Sequence, residues 1–366
     1  MFKIATLNKI ATKGMTLLDE KYTVTSEVSE ANAILVRSQD MHSMDFSDDL
    51  MAVARAGAGV NNIPLDKCAQ QGIVVFNTPG ANANAVKELV IAGLFLAARN
   101  IPNALAWAST LTEDVSAKVE KGKSQFAGGE ILGKTLGVVG LGAIGRKVAL
   151  SAQALGMTIC GYDPYYAGGL EDANIFESVE EMLPHCDYIT IHVPATSGTT
   201  GMFNKDLFDK MKEGTVLLNF SRDKLVKDAD LLEAIEEGKV ACYVTDFPND
   251  AMVAKDKVIL LPHLGASTEE AEDNCATMAV AQVMDYLENG NIVNSVNFPK
   301  VDMGPASGGR TGIFTNGISD PVSQIKALIP DAEIAGGVRG DFGYVLVDSP
   351  EVPENLGDGI IKTVKF

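Results

Sequence analysis

The chain has 366 residues, 46% of them hydrophobic, more than one ordinary core accommodates, so two or three domains are expected. A formal charge of −18 argues against nucleic acid, whose phosphates need neutralising cations. It also requires that any anionic small molecule be held by a local basic cluster against the field of the whole chain.

From the start, Met1-Phe-Lys leads into a strand-like stretch with no charged n-region, apolar h-region or cleavage site, so no signal peptide is expected. Gly or charged residues interrupt every apolar stretch before the roughly 18 residues of a membrane helix. Cys68, Cys160, Cys186, Cys242 and Cys275 form no C-x-x-C and no metal-spaced Cys/His cluster. They read as reduced thiols of a cytoplasmic protein without a metal.

Strand-like runs at Ala33–Val36, Ile73–Phe76, Leu136–Val139, Thr158–Tyr162, Tyr188–His192, Val216–Asn219, Val240–Thr245 and Val258–Leu261 alternate with helical patterns. Those patterns include Ala85–Arg99, Ile144–Leu155, Leu231–Glu237 and Glu269–Asn289. Strand–helix alternation with continuously apolar strands predicts an α/β protein of parallel sheets covered on both faces. The unbroken Ala85–Arg99 pattern reads as a rigid connector, and the polar stretch Glu120–Gly129 leads into the second α/β unit. Met303–Gly312, rich in Gly, Pro and Ser, reads as a linker. Beyond it the order is β-α-β-β-α-β: Gly312–Thr315, Val322–Leu328, Ala332–Ile334, Tyr344–Val347, Pro353–Leu356 and Lys362–Phe366. That suits a small module pairing with a copy of itself. The expected domains are 1–100 with 267–300, then 101–266, then 308–366.

Lys134-Thr-Leu-Gly-Val-Val-Gly140-Leu-Gly142-Ala-Ile-Gly145 is the strongest local signal. A glycine triplet alone is weak evidence, but this one follows a strand and opens a helix. Gly140 turns the chain, Gly142 admits a pyrophosphate, and Gly145 lets helix and sheet close up. The amides of Ala143 and Ile144 stand at the helix N-terminus, where phosphate is favoured. Asp163 follows at about the expected spacing of roughly 20 residues for a carboxylate that accepts ribose hydroxyls. It would repel a 2′-phosphate, and Asp163-Pro-Tyr-Tyr-Ala-Gly-Gly supplies no Arg, so NAD is expected rather than NADP.

Three later segments set polar groups just after strands, where ligands of open α/β sheets bind. They end in Asn219-Phe-Ser-Arg222, in Asp246-Phe-Pro-Asn-Asp250, and in Pro262-His263-Leu-Gly-Ala-Ser-Thr268. Reducing a 2-keto acid needs a hydride donor, a cation for the carboxylate and carbonyl, and an acid for the new alkoxide. Arg222 and His263 suit the last two.

Gly140–Gly145, Asn219–Arg222 and Pro262–Thr268 resemble the signature segments of the D-2-hydroxyacid dehydrogenases, in the family's order over roughly residues 30–300. The resemblance implies a flavodoxin-like substrate domain and a Rossmann NAD domain, with catalytic Arg222 and His263. It further implies cofactor contacts at Thr78, His192, Val193, Pro194, Asn219, Phe220, Ser221, Asp246, Gly265 and Ala266, beside the glycine loop. The family usually reads Asp-Val-Phe-x-x-Glu-Pro, its Glu partnering the histidine. This chain is one residue shorter there and lacks the Glu, which makes Asp250 the substitute.

Ile34-Leu-Val-Arg37-Ser38-Gln and Arg55-Ala-Gly-Ala-Gly59-Val60-Asn-Asn resemble the substrate loops of members that oxidise 3-phospho-D-glycerate to 3-phosphohydroxypyruvate. There Arg meets the phosphate and Gly-Val amides meet the carboxylate. The terminal module resembles a shortened ACT domain, a serine-sensing unit. Thr315-Asn-Gly-Ile-Ser-Asp-Pro321, however, lacks the His of the usual His-x-Asn-x-Pro element. The resemblance also implies a homodimer or homotetramer. Another D-2-hydroxyacid dehydrogenase, acting on glycerate, glyoxylate or lactate, and an NAD(H)-responsive binding protein are the alternatives.

Overall fold

The computed structural model describes residues 1–366, which divide into two compact units, 1–82 with 268–366, and 83–267. The first unit opens with β1 (Phe2–Thr6), β2 (Tyr22–Thr25), β3 (Ala33–Val36), β4 (Ala52–Arg55) and β5 (Val74–Phe76). They form a parallel sheet in the order β2-β1-β3-β4-β5, a doubly wound arrangement. Every residue of β3 is buried, as a strand covered on both faces requires.

The second unit carries β6 (Thr135–Val139), β7 (Thr158–Tyr162), β8 (Ala173–Ile175), β9 (Tyr188–Ile191), β10 (Thr215–Asn219), β11 (Val240–Thr245) and β12 (Val258–Leu260). All pair in parallel, in the order β12-β11-β10-β9-β6-β7-β8. The order reverses between β6 and β9, a switch point where the strand ends open a ligand crevice. The Ala83–Ala98 helix, expected as a connector, belongs to this unit. Val86, Val90, Leu94 and Ala98 enter its core with Val138, Leu218 and Val244. The polar stretch from Glu120 is partly helical, with Val115–Gly122 followed by a 3-10 turn at Lys123–Phe126.

The chain returns to the first unit through the Glu269–Asn289 helix. Its N-terminus is capped by the Thr268 hydroxyl accepting from the Ala271 N–H, and it ends at left-handed Gly290. Then come β13 (Arg310–Asn316), the Pro321–Leu328 helix, β14 (Glu333–Arg339), β15 (Phe342–Asp348) and β16 (Ile360–Lys365). They form an antiparallel sheet in the order β14-β15-β13-β16.

Two expectations fail here. Pro353–Leu356 is loop, so the sheet has one helix and not two. Nor is the segment a separate module. Phe314, Tyr344 and Leu346 share one core with Phe76, Tyr286 and Phe298. The opposite face, with Ile313, Val345 and Val347, is covered by Ile325 and Leu356. The supposed linker leads directly into Arg310, which is 2% exposed.

Candidate active site

The turn after β6 has the stereochemistry of a dinucleotide cradle. Gly140 has φ +92°, and a Cβ there would lie 2.7 Å from the His192 carbonyl. A Cβ on Gly145 would lie 1.9 Å from the Gly140 carbonyl, whereas one on Gly142 would meet nothing within 4 Å. Space is therefore left open over Gly142. No side chain caps the Ala143–Ala154 helix, so its first-turn amides remain available to a phosphate.

Asp163 is fixed beside this turn. Its Oδ2 accepts the Leu141 N–H and its Oδ1 the Tyr165 N–H, both at 2.8 Å, and lone pairs remain for hydroxyl donors. Arg146 donates to the Gly168 and Gly169 carbonyls, so its charge is engaged with the loop after Asp163. His192 bonds Thr190 through Nε2 at 2.9 Å, and burial pushes its pKa down to about 3. Its ring is neutral, and its buried Nδ1 lacks a protein partner.

The ends of β10, β11 and the segment after β12 carry the charged groups. Asn219 is fully buried. Its Nδ2 donates to the Arg222 carbonyl (2.8 Å) and to Tyr243 Oη (3.3 Å), and its Oδ1 accepts the Ser221 N–H (3.1 Å). The asparagine thus braces the turn that presents the exposed Arg222. Its side chain is spent on the protein, which leaves the backbone of this turn for a cofactor. Phe220, 4% exposed, packs its ring into the core.

His263 takes a left-handed backbone conformation, φ +50°, held by its N–H on the carbonyls of Asp246 (2.9 Å) and Leu261 (3.1 Å). Its ring lies 4.8 Å from that of Phe247, tilted by 50°. Strain of this kind persists where surrounding bonds over-determine it, commonly at functional sites.

Asp246, 1% exposed, ends the strand between those that lead to Arg222 and His263. Burial pushes its pKa up, while the charges of His263 and Arg222 both pull it down. Arg222, Asp246 and His263 therefore follow three neighbouring strands at one end of the sheet. Asp246 Oδ2 accepts the Gly265 N–H at 2.8 Å, and its buried Oδ1 has no partner. An acceptor left open in this way fits the amide of a nicotinamide, and with the open Gly142 cradle it makes the residues suitable for NAD.

Asp250, expected beside His263, is exposed and makes no hydrogen bond or ion pair. Asn249 anchors that loop instead, donating to Asp228 and accepting the Met252 N–H, both at 3.1 Å, which leaves Asp250 in solvent.

In the first unit Asn8, unforeseen from sequence, gathers three amides. Its Oδ1 accepts from Arg37 and Ser38 at 2.9 Å and from Gln39 at 3.1 Å. Arg55, also missed as a site residue, donates from Nε to the Arg37 carbonyl at 2.9 Å. The amides of Gly59 and Val60 donate to no protein acceptor. Thr78 is fully buried, its N–H on the Gly57 carbonyl and its hydroxyl without a partner. An arginine directly ahead of a run of small residues was the available signal for Arg55.

Residues 91–265 match the D-isomer specific 2-hydroxyacid dehydrogenase, NAD binding domain. That match covers most of the second unit, which is thus similar to the NAD-binding domain of this family. Among the particular proteins the chain is similar to are D-3-phosphoglycerate dehydrogenases. That of Archaeoglobus fulgidus is 36% identical over 289 residues, 75% of this chain and 53% of that protein. That of Bacillus subtilis strain 168 is 33% identical over 323 residues, 82% of this chain and 59% of that protein. The crystal structure of NAD+-bound 3-phosphoglycerate dehydrogenase from Entamoeba histolytica matches with a TM-score of 0.65 and 28% identity, over 81% of this chain and 98% of that one. The chain spans little more than half the length of the curated relatives it matches. No single helix is long and apolar enough to cross a membrane.

Proposed function

We propose that this chain oxidises 3-phospho-D-glycerate to 3-phosphohydroxypyruvate with NAD, the reaction that opens a route to L-serine. The observation that carries this reading is the placement of Arg222 and His263 just after β10 and β12, the parallel strands that flank β11 and its buried Asp246, at the strand ends of a dinucleotide sheet. When bound, NAD supplies the hydride acceptor. Arg222 grips the carboxylate and stabilises the developing carbonyl, and the His263 imidazole takes the proton of the C2 hydroxyl. The Gly59 and Val60 amides also take the carboxylate, and Arg37 with Ser38 and Arg55 holds the phosphate. Asp246 Oδ1 and Thr78 orient the nicotinamide ring, and Asp163 takes the ribose.

The terminal sheet, with its first and third strands central, supports its reading as divergent and ACT-like, though built into the first unit, and L-serine is its proposed effector. A cytoplasmic homodimer or homotetramer completes the proposal.

The test is NADH formation from 3-phosphoglycerate, compared with D-glycerate and D-lactate. Turnover of the unphosphorylated acids alone would transfer the chain to another member of the family. No turnover of any of them would leave a nucleotide-binding protein. Arg222→Ala is expected to cost about 10²-fold in kcat/KM, since a bidentate guanidinium–carboxylate pair contributes about 3 kcal/mol. A loss below threefold would remove Arg222 from the substrate.

A further inference from the structure

The guanidinium assigned to the substrate phosphate already has a partner. Arg37 Nη2 lies 2.6 Å from Glu272 Oε1, with the two side chains 42% and 43% exposed. An ion pair this open contributes little to stability, about 0–1 kcal/mol. Nor does the helix need it. Thr268 caps the same N-terminus, and Glu269 and Glu270 already place carboxylates in that first turn.

The surroundings are charged in a particular way. Arg55 bonds the Arg37 carbonyl, and the buried Cys275 feels Arg37, Arg55 and Glu272 together. Two guanidiniums and one carboxylate therefore share a small locus in a chain of net charge −18.

We propose that Glu272 determines specificity at this locus by occupying on Arg37 the place of the substrate's anionic tail, so that only a phosphate monoester dianion displaces it. The proposal rests on the assignment of Arg37 to that tail. A dianion carries twice the charge of the carboxylate it displaces and so regains more than the lost ion pair from Arg37. A monoanionic carboxylate merely exchanges one equal partner for another, and a neutral hydroxymethyl group leaves the pair intact.

Glu272→Gln keeps the shape and the Thr268 cap while removing the competing charge. It is expected to lower KM for 3-phosphoglycerate about fivefold, to leave kcat and the KM for D-glycerate unchanged, and to tighten inorganic phosphate binding similarly by calorimetry. Arg37→Ala should weaken phosphate binding, and Arg37→Ala with Glu272→Gln should behave as Arg37→Ala alone.

An unchanged or weakened phosphate affinity in Glu272→Gln would overturn the proposal, and so would an equal gain in the Arg37→Ala background. The phosphate titration does not depend on turnover. If the enzyme ignores 3-phosphoglycerate while Glu272→Gln still binds phosphate more tightly through Arg37, the proposed substrate falls and the role of Glu272 stands. Normal turnover with phosphate affinity unmoved gives the reverse.

Discussion

His263→Asn is expected to lower kcat by about 10²- to 10⁴-fold, the usual contribution of a positioned acid/base, with NADH affinity retained. Asparagine is the informative replacement because of the backbone. At φ +50° most side chains are strained, whereas Asn tolerates the left-handed region and cannot carry the proton. The bonds from the residue 263 N–H to the Asp246 and Leu261 carbonyls are made by main chain and survive the change. Steady-state turnover together with an NADH fluorescence titration separates lost chemistry from lost folding. A kcat within a few-fold of wild type would exclude His263 as the proton carrier. Asp250→Asn, by contrast, should leave kcat unchanged within about twofold, because that exposed carboxylate reaches no partner. A tenfold loss would restore it as the partner of the imidazole.

Arg310→Ala is expected to destabilise the chain by about 3–5 kcal/mol, the effect of stripping one member from a buried ion pair. The guanidinium meets Asp348 through two bonds, Nε to Oδ1 at 2.5 Å and Nη2 to Oδ2 at 2.7 Å. It also donates to the carbonyls of Asn289 (3.0 Å), Gly304 (2.6 Å) and Met303 (3.3 Å). One side chain thus ties together the end of the long helix, the segment before β13, and β15. Truncation leaves a partly buried carboxylate and the Asn289 and Met303 carbonyls without these donors, while the Gly304 carbonyl keeps Asn291 Nδ2.

The pH dependence follows from Asp348, whose pKa is held below its usual value by Arg310. A depressed folded pKa contributes stability above the unfolded value of about 3.9, and this is lost as pH falls through the folded one. The gap between wild type and Arg310→Ala in urea midpoint should therefore be widest near neutral pH and narrow below about pH 4. Equal midpoints at neutral pH would show the cluster to be dispensable.

The glycine turn, Asp163, Arg222 and His263 could be read from the chain because each has a chemistry tied to its place after a strand. The bracing groups could not. An asparagine announces nothing about whether it meets a ligand or its own backbone. Asn219 and Asn8 turn out to hold turns together through amides and carbonyls whose positions exist only after folding. The Ala83–Ala98 helix is apolar on most sides, so its pattern gave no face from which to infer the unit that buries it. Met303–Gly312 has the composition of a free tether, yet Gly308 and Gly309 serve a turn into a strand whose partner, around Asp348, is distant in sequence. Pro353–Leu356 offered four residues to a helix, fewer than a stable nucleus requires, and remained loop.

The core shared by Phe76, Phe298, Phe314 and Tyr344 carries a consequence for biosynthesis. The dinucleotide unit is an insertion whose strands are contiguous in sequence, so it is able to fold as soon as residues 83–267 emerge from the ribosome. The unit around it must wait with an unfinished apolar face until β13–β16 have been translated. During elongation the earliest-made strands are therefore the last to be secured, and a nascent chain stalled near residue 300 would present that uncovered face to chaperones.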